Sequence, residues 1–229
     1  MEMKADILYE DKDIIVINKP AGVAVQTARI CQEDMVSILK NHICREYGIS
    51  SPYLGVIHRL DQPVSGILVF ALNERAAASL SRQLNTDFFS KRYKSLVEGV
   101  VDTKDGQLIL SDYLIKDKNS ISRIVDKDHK GAKKAELRYK ALKTDTAGSM
   151  TMLDIELITG RFHQIRTQMK GIGHPIVNDV KYGAKRNDHF IGGEICLCAC
   201  YLSFIHPVSK EKMEFKTECD FDVLIENVL

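Results

Sequence analysis

Ile57-His58-Arg59-Leu60-Asp61-Gln62-Pro63-Val64-Ser65-Gly66-Ile67-Leu68-Val69-Phe70-Ala71-Leu72 joins a polar, proline-containing segment to an uninterrupted apolar run. Residues 66–72 show no polar alternation, so both faces of this element want burial, and the run is too short for anything but a strand. Asn73 follows as a helix N-cap, ahead of a segment carrying Ala77, Leu80 and Leu84 at helical spacing. Asp61 therefore lies in a loop between two apolar runs, two residues after Arg59. A carboxylate in such a place is ordinarily solvated or caps a nearby backbone group.

Working outward, residues 7–13 and 14–18 read as two short strands around a polar turn. Lys19-Pro20-Ala21-Gly22 ends the second, because Pro20 lacks an N–H and Gly22 permits positive φ. Between residues 33 and 47, Met35, Val36, Ile38, Leu39 and Ile43 recur with helical period, and Gly48 supplies a stop. After Lys91 the pattern turns to strands at 93–100, 107–110, 135–139 and 150–157. A helix is expected over about residues 162–170, then strands at 197–204 and 212–216. Helices and strands mix without a βαβ rhythm. The expected class is α+β, a mixed and mainly antiparallel sheet flanked by helices. With no internal repeat, low-complexity stretch or linker, residues 1–229 read as one catalytic domain.

Hydrophobic residues at 45% and charged residues at 28% are ordinary for a globular chain, so fibrous and disordered classes are excluded. No apolar run approaches the ~18 residues of a membrane span, and the first residues lack a basic, then long apolar, leader. A cytoplasmic protein is expected. Cysteines stand at 31, 44, 196, 198, 200 and 219. Cys196, Cys198 and Cys200 alternate, which on a strand puts them on one face, and no pair has zinc spacing. They read as small buried residues in a reducing compartment. The net charge of +1 does not announce a nucleic-acid binder. Between residues 116 and 143, however, ten cations face four acids. Such a surplus suits a polyanion, and equally a solvated hairpin.

Three further segments put chemically capable residues at the ends of apolar elements. They are Lys91-Arg92-Tyr93-Lys94, Gly160-Arg161-Phe162-His163-Gln164-Ile165-Arg166, and Gly173-His174-Pro175-Ile176-Val177-Asn178-Asp179-Val180-Lys181-Tyr182-Gly183. Together with His58-Arg59-Leu60-Asp61 before Ser65-Gly66, and with Asn18-Lys19-Pro20-Ala21-Gly22 and His206-Pro207, they resemble the RluA-type family of RNA pseudouridine synthases. The motifs keep family order from about residue 14 to 216.

This resemblance implies the pseudouridine synthase fold, with a catalytic cleft across the sheet. It also implies isomerisation of uridine to pseudouridine in structured ribosomal or transfer RNA. By motif position Asp61 would be the nucleophile, Tyr93 would stack on the uracil and Arg166 would pair with the Asp61 carboxylate. Arg59 would contact RNA around the extracted nucleotide. No separate N-terminal RNA-binding domain is expected before the first motif, and target choice is expected to rest on the catalytic domain. Val64 stands where the family commonly has Thr, Gln168 and Cys198 where it often has His; none is the proposed nucleophile.

The chemistry supports these roles independently. A nucleophilic carboxylate must stay ionised, burial against a base opposes that, and a guanidinium fork can hold the charge in one orientation. Attack at C1′, attack at C6 and proton removal at C2′ all remain compatible with an Asp. A detached uracil must turn while confined, and an aromatic face offers a platform. A stacked uridine must first leave its helix at a cost of a few kcal/mol. Arg59 would fill the space, while Lys91, Arg92, Lys94 and the basic stretch hold the backbone. The reaction is redox-neutral and requires neither cofactor nor metal, and no obligate protein partner or membrane is implied. His58 and His163 read as structural rather than acid–base groups. Two other readings are a non-catalytic RNA-binding or folding-assistant protein and an Asp-dependent glycosidase. The second lacks a partner carboxylate for Asp61 within the motifs.

Overall fold

The computed structural model describes residues 5–28, 32–84, 86–104, 106–185 and 194–226; Cys31 lies outside them. In chain order the elements are β1 (Asp6–Glu10), β2 (Ile14–Lys19), α1 (Met35–Tyr47), β3 (Gly55–Val56), β4 (Ser65–Ala71), α2 (Glu74–Gln83), β5 (Ser90–Glu98), β6 (Leu108–Lys116), β7 (Ser122–Val125), β8 (Lys133–Thr144), β9 (Met150–Leu157), α3 (Gln164–Gly171), a 3-10 turn at Val180–Tyr182, β10 (Leu197–Ile205), β11 (Lys212–Lys216) and α4 (Asp222–Glu226). The class is mixed α+β with mostly antiparallel pairing, as the sequence pattern predicts. The chain forms two compact units, Met1–Lys91 with Ala199–Thr217, and Arg92–Cys198 with Glu218–Leu229.

In the first unit β2 runs antiparallel to both β1 and β4, and β4 neighbours β10. β3 adds to β4 and β11 to β10. From Gly66 to Ala71 every residue of β4 is buried, as the unbroken apolar run requires. Ile14, Val16, Ile67, Val69 and Ala71 form one face, packed with Ala76 and Leu80 of α2, Ile57, Phe89, Leu202 and Phe204. Each such large aliphatic or aromatic side chain contributes about 1.5–3 kcal/mol on leaving water. Both helices start where their caps dictate. Asp34 accepts from Ser37 N and Asn73 from Ala76 N, while Gly48 closes α1 at φ 67° by donating its N–H to Cys44 O.

Sterics pin the start of β4. Gly66 pairs with Lys19 of β2 and has φ +120°; a Cβ there would stand 2.4 Å from Ala199 O and 2.6 Å from Ala199 N. Only glycine admits that approach.

The second unit orders its strands β5-β9-β8-β6-β7, antiparallel throughout. β6 and β8 extend well past the short segments expected at 107–110 and 135–139. In β8 the added Lys133, Lys134, Lys140 and Lys143 are charged and exposed, and in β6 the added Tyr113-Leu114-Ile115 does not alternate, so the pattern that marks a half-buried strand fades while the ladder continues. β7 is four residues long and pairs with β6, leaving too little pattern to recognise. Helix α3 begins two residues later than expected, after His163 at φ 50°. Cys198 is buried on β10, whereas Cys196 lies in a bend just before the strand; it too is buried, which pushes its thiol up to about 12.

Two outcomes are expected. Gly66→Ala should lose roughly 2–5 kcal/mol in urea unfolding, from backbone strain and overpacking together, while Ser65→Ala stays close to wild type. Asp11 should make the first unit acid-sensitive. Burial opposes its ionisation, but hydrogen bonds from the Asp13 and Ile14 amides outweigh that and hold its carboxyl below the usual range. The carboxylate thus adds stability above the unfolded-state value near ~4, lost as pH falls through the lower folded value. The stability gap between wild type and Asp11→Asn should therefore narrow between about pH 6 and about pH 3.

Candidate active site

Asp61 occupies a short turn immediately before β4, closed by Val64 N donating to Asp61 O at 3.0 Å. Pro63 suits a tight turn, and the turn is clasped to the Pro20–Val23 loop from two directions. Gln62 Nε2 donates to Gly22 O at 2.9 Å. Lys19, with 0% exposure, drives its ammonium into three carbonyls: Pro20 O at 2.7 Å, Val23 O at 2.8 Å and Gln62 O at 3.2 Å. A buried ammonium persists only where acceptors replace its water. Here the acceptors are the backbone of the loop next to Asp61. Asp61 itself is half-buried and Arg59 is exposed.

His58 bridges this turn to the strand. Its Nε2 accepts from Val69 N at 3.4 Å, so its proton sits on the buried Nδ1, which meets no acceptor among the described residues. Burial, with the Lys91 charge nearby, pushes its pKa down to about 3. The ring stays neutral and meets Phe89 edge-on at 5.3 Å. Lys91 lies over Phe89 at 5.7 Å and burial lowers its pKa, so this cation is only partly presented to solvent.

In the second unit Tyr93 is 6% exposed on β5, opposite Ile155 of β9. Its neighbours Arg92 and Lys94 point to the other face and meet acids there, Arg92 with Asp154 and Lys94 with Asp222 at 2.7 Å. Arg166, on the first turn of α3, is buried. Its Nε and Nη2 donate to the two oxygens of Asp179, each at 2.7 Å. The Tyr182 ring centroid is 4.9 Å from the guanidinium carbon, and His163 Nε2 stands 3.4 Å from Nη1. His163 Nδ1 and the Tyr182 hydroxyl are 2.8 Å apart, and that hydroxyl accepts from Ser122 N at 2.9 Å.

One proton arrangement satisfies this group. An Arg N–H can only donate, so His163 Nε2 must be the acceptor and Nδ1 must carry the hydrogen toward Tyr182. Burial first, and then Arg166, pushes the His163 pKa down to about 3, which keeps that neutral form. The αL backbone at His163 is uncommon for a residue with a Cβ, and it aims the ring back at the helix it precedes.

The residues expected from the sequence divide between the units. Arg59, Asp61 and Lys91 fall in the first, and Arg92, Tyr93, Lys94 and Arg166 in the second. Lys19, Asp179 and Tyr182 take structural roles around them that the sequence does not assign. Their one signal is membership of the motif segments at residues 18–22 and 173–183.

A second cluster, Asp11, Asp13 and His206, brings its ligand-type atoms within 4.8 Å of one another in the first unit. His206 Nδ1 accepts from Ser209 N at 3.0 Å and Val208 N at 3.3 Å, so the neutral ring carries its proton on Nε2. Nε2 faces Asp11 Oδ2 at 3.0 Å, off the line of a good hydrogen bond. It offers a proton there rather than a lone pair, which does not suit a cation.

Comparison with known proteins agrees with the motifs. The family model described as RNA pseudouridylate synthase matches residues 13–170. The uncharacterized RNA pseudouridine synthase YlyB of Bacillus subtilis is 35% identical, covering 99% of this chain and 73% of that protein. The ribosomal large subunit pseudouridine synthase C of Buchnera aphidicola is 33% identical, covering 97% and 70%. The dual-specificity RNA pseudouridine synthase RluA of Vibrio parahaemolyticus is 31% identical, covering 94% and 84%. Among solved structures, human RNA pseudouridylate synthase domain containing 4 superposes with a TM-score of 0.75 at 21% identity, over 93% of this chain and 88% of that one, a likeness of fold. Similarity of this extent runs through the segments of Asp61, Tyr93 and Arg166 alike, and the chain belongs to the RluA-type family of RNA pseudouridine synthases.

Proposed function

We propose that this enzyme isomerises uridine in structured ribosomal or transfer RNA, with Asp61 as the nucleophile on a flipped-out nucleotide. The observation that carries the reading is the clasp on the Asp61 turn. An ordinary surface acid has no need of a buried ammonium and an amide side chain to immobilise the loop that presents it. Reaction requires that the attacking oxygen be held near its target, and a fixed loop supplies that orientation.

Tyr93 and Arg166 complete the proposal by motif position. Tyr93 would stack on the uracil, and Arg166 would hold the Asp61 carboxylate ionised. The name of one relative specifies the large ribosomal subunit, which supports ribosomal RNA, while transfer RNA comes from the motif resemblance. Ribosomal and transfer RNA are the substrates assigned here, and with them goes a cytoplasmic site of action. Among the described residues no helix is long and apolar enough to cross a membrane.

Backbone contacts would come from Arg59, Lys91, Arg92, Lys94 and the basic stretch of the β6–β8 region. In that stretch Lys116, Lys118, Lys127, Lys130, Lys133, Lys140 and Lys143 are exposed. Arg123, Lys134 and Arg138 are each engaged by a neighbouring acid. Lys127, Lys130 and Lys133, gathered in and just after the β7–β8 connection, are the stronger candidates for phosphate.

Two measurements check this reading. Asp61→Asn and Asp61→Ala should abolish tritium release from RNA labelled at uridine C5 while keeping the wild-type melting profile; undiminished release removes the nucleophile assignment. Replacing Lys127, Lys130 and Lys133 together by Gln should weaken RNA binding and lower the slope of log K against log salt by about one for each phosphate no longer neutralised. An unchanged slope would take the β7–β8 connection out of the interface.

A further inference from the structure

We infer that Asp179 is a positioning residue for Arg166, setting the plane and edge that the guanidinium presents during the reaction. The inference rests on the role proposed for Arg166 above and deepens it.

Both side chains of this pair are withdrawn from water, with 5% exposure for Arg166 and 1% for Asp179. A buried ion pair gives little net stability compared with an apolar substitute of the same volume, because desolvation offsets the attraction. Geometry is what it does supply. Two parallel N–H···O bonds of 2.7 Å lock the guanidinium plane to the carboxylate plane, which a single contact or a lysine could not do.

Asp179 is itself held. Its N–H donates to Ile176 O at 2.9 Å, and its carbonyl accepts from Tyr182 N at 2.8 Å and Ala184 N at 3.2 Å. The carboxylate is therefore a fixed support rather than a mobile counterion. It uses the Nε–Nη2 edge of Arg166, which turns the Nη1–Nη2 end away from itself. The Tyr182 ring lies against the guanidinium, and neutral His163 accepts on Nη1, so sliding and rotation are opposed as well. A pair serving only to tie α3 to the loop at residues 173–184 would not need contacts on so many sides of one cation.

Turnover of RNA by purified variants tests this. Asp179→Asn should lower kcat at saturating RNA by roughly 10–100-fold with KM within about twofold, because misplacement of a reacting group costs rate more than binding. Asp179→Glu keeps the charge but moves the fork, and should fall between Asn and wild type. In an Arg166→Lys background, Asp179→Asn should change kcat by less than about twofold, since a residue acting only through Arg166 has nothing left to position. Wild-type kcat in Asp179→Asn, or an equal loss in both backgrounds, overturns the inference. If Asp179→Asn does not fold, Asp179→Glu decides alone, with reduced kcat and retained KM supporting the inference and wild-type kcat overturning it. Asp61→Asn run beside them separates the two levels. If it is inactive while Asp179→Asn turns over normally, only the positioning role fails; if it is fully active, the nucleophile assignment fails.

Discussion

The Lys19 ammonium is closed off from solvent, and the loops beside it are shaped to replace water. Three carbonyls from Pro20, Val23 and Gln62 converge on Nζ, so two segments 43 residues apart in the chain are held by one charge. Releasing any of those carbonyls would leave a buried cation under-solvated, which is costly. The Asp61 turn inherits its position from this constraint. Gly66, opposite Lys19 in the ladder, adds a steric one, since its missing Cβ lets the Ala199 backbone approach. The acid proposed to react therefore stands between a fixed loop and a fixed strand.

The second unit solves a related problem with a different cation. Arg166 is buried on the first turn of α3, and its compensation comes from Asp179 thirteen residues later. Neutral His163 and the Tyr182 phenol complete the enclosure without adding charge. In both units a buried cation organises backbone that would otherwise be free to move. Lys19 suits carbonyls because an ammonium is a compact donor in several directions. Arg166 suits a carboxylate because its fork is planar.

Much of the fold is legible along the chain. The unbroken run at residues 66–72 marks β4, Asn73 marks the start of α2, and Gly48 marks the end of α1. These signals are local, since caps and turns satisfy backbone groups within a few residues. β6 and β8 run longer than their patterns suggest, because ladder pairing sets their length and the outer residues of β8 are mostly lysines, while those of β6 do not alternate. β7 and the 3-10 turn at Val180–Tyr182 leave too short a pattern. At the candidate site Asp61, Tyr93 and Arg166 stand out through motif order, while the work of Lys19, Asp179 and Tyr182 does not.

Local sequence settles most of the longer elements, in what order the family motifs occur, and that an acid, a tyrosine and an arginine stand in three of them. Periodicity, caps and motif spacing are all properties of neighbouring residues. Folding in three dimensions was needed to spend Lys19 on carbonyls and to choose Asp179, rather than another acid, as the grip on Arg166. It also turned His163 toward a cation, where the ring must stay neutral. Those outcomes depend on desolvation and on distances closed through space, and neither is written in any single segment of the chain.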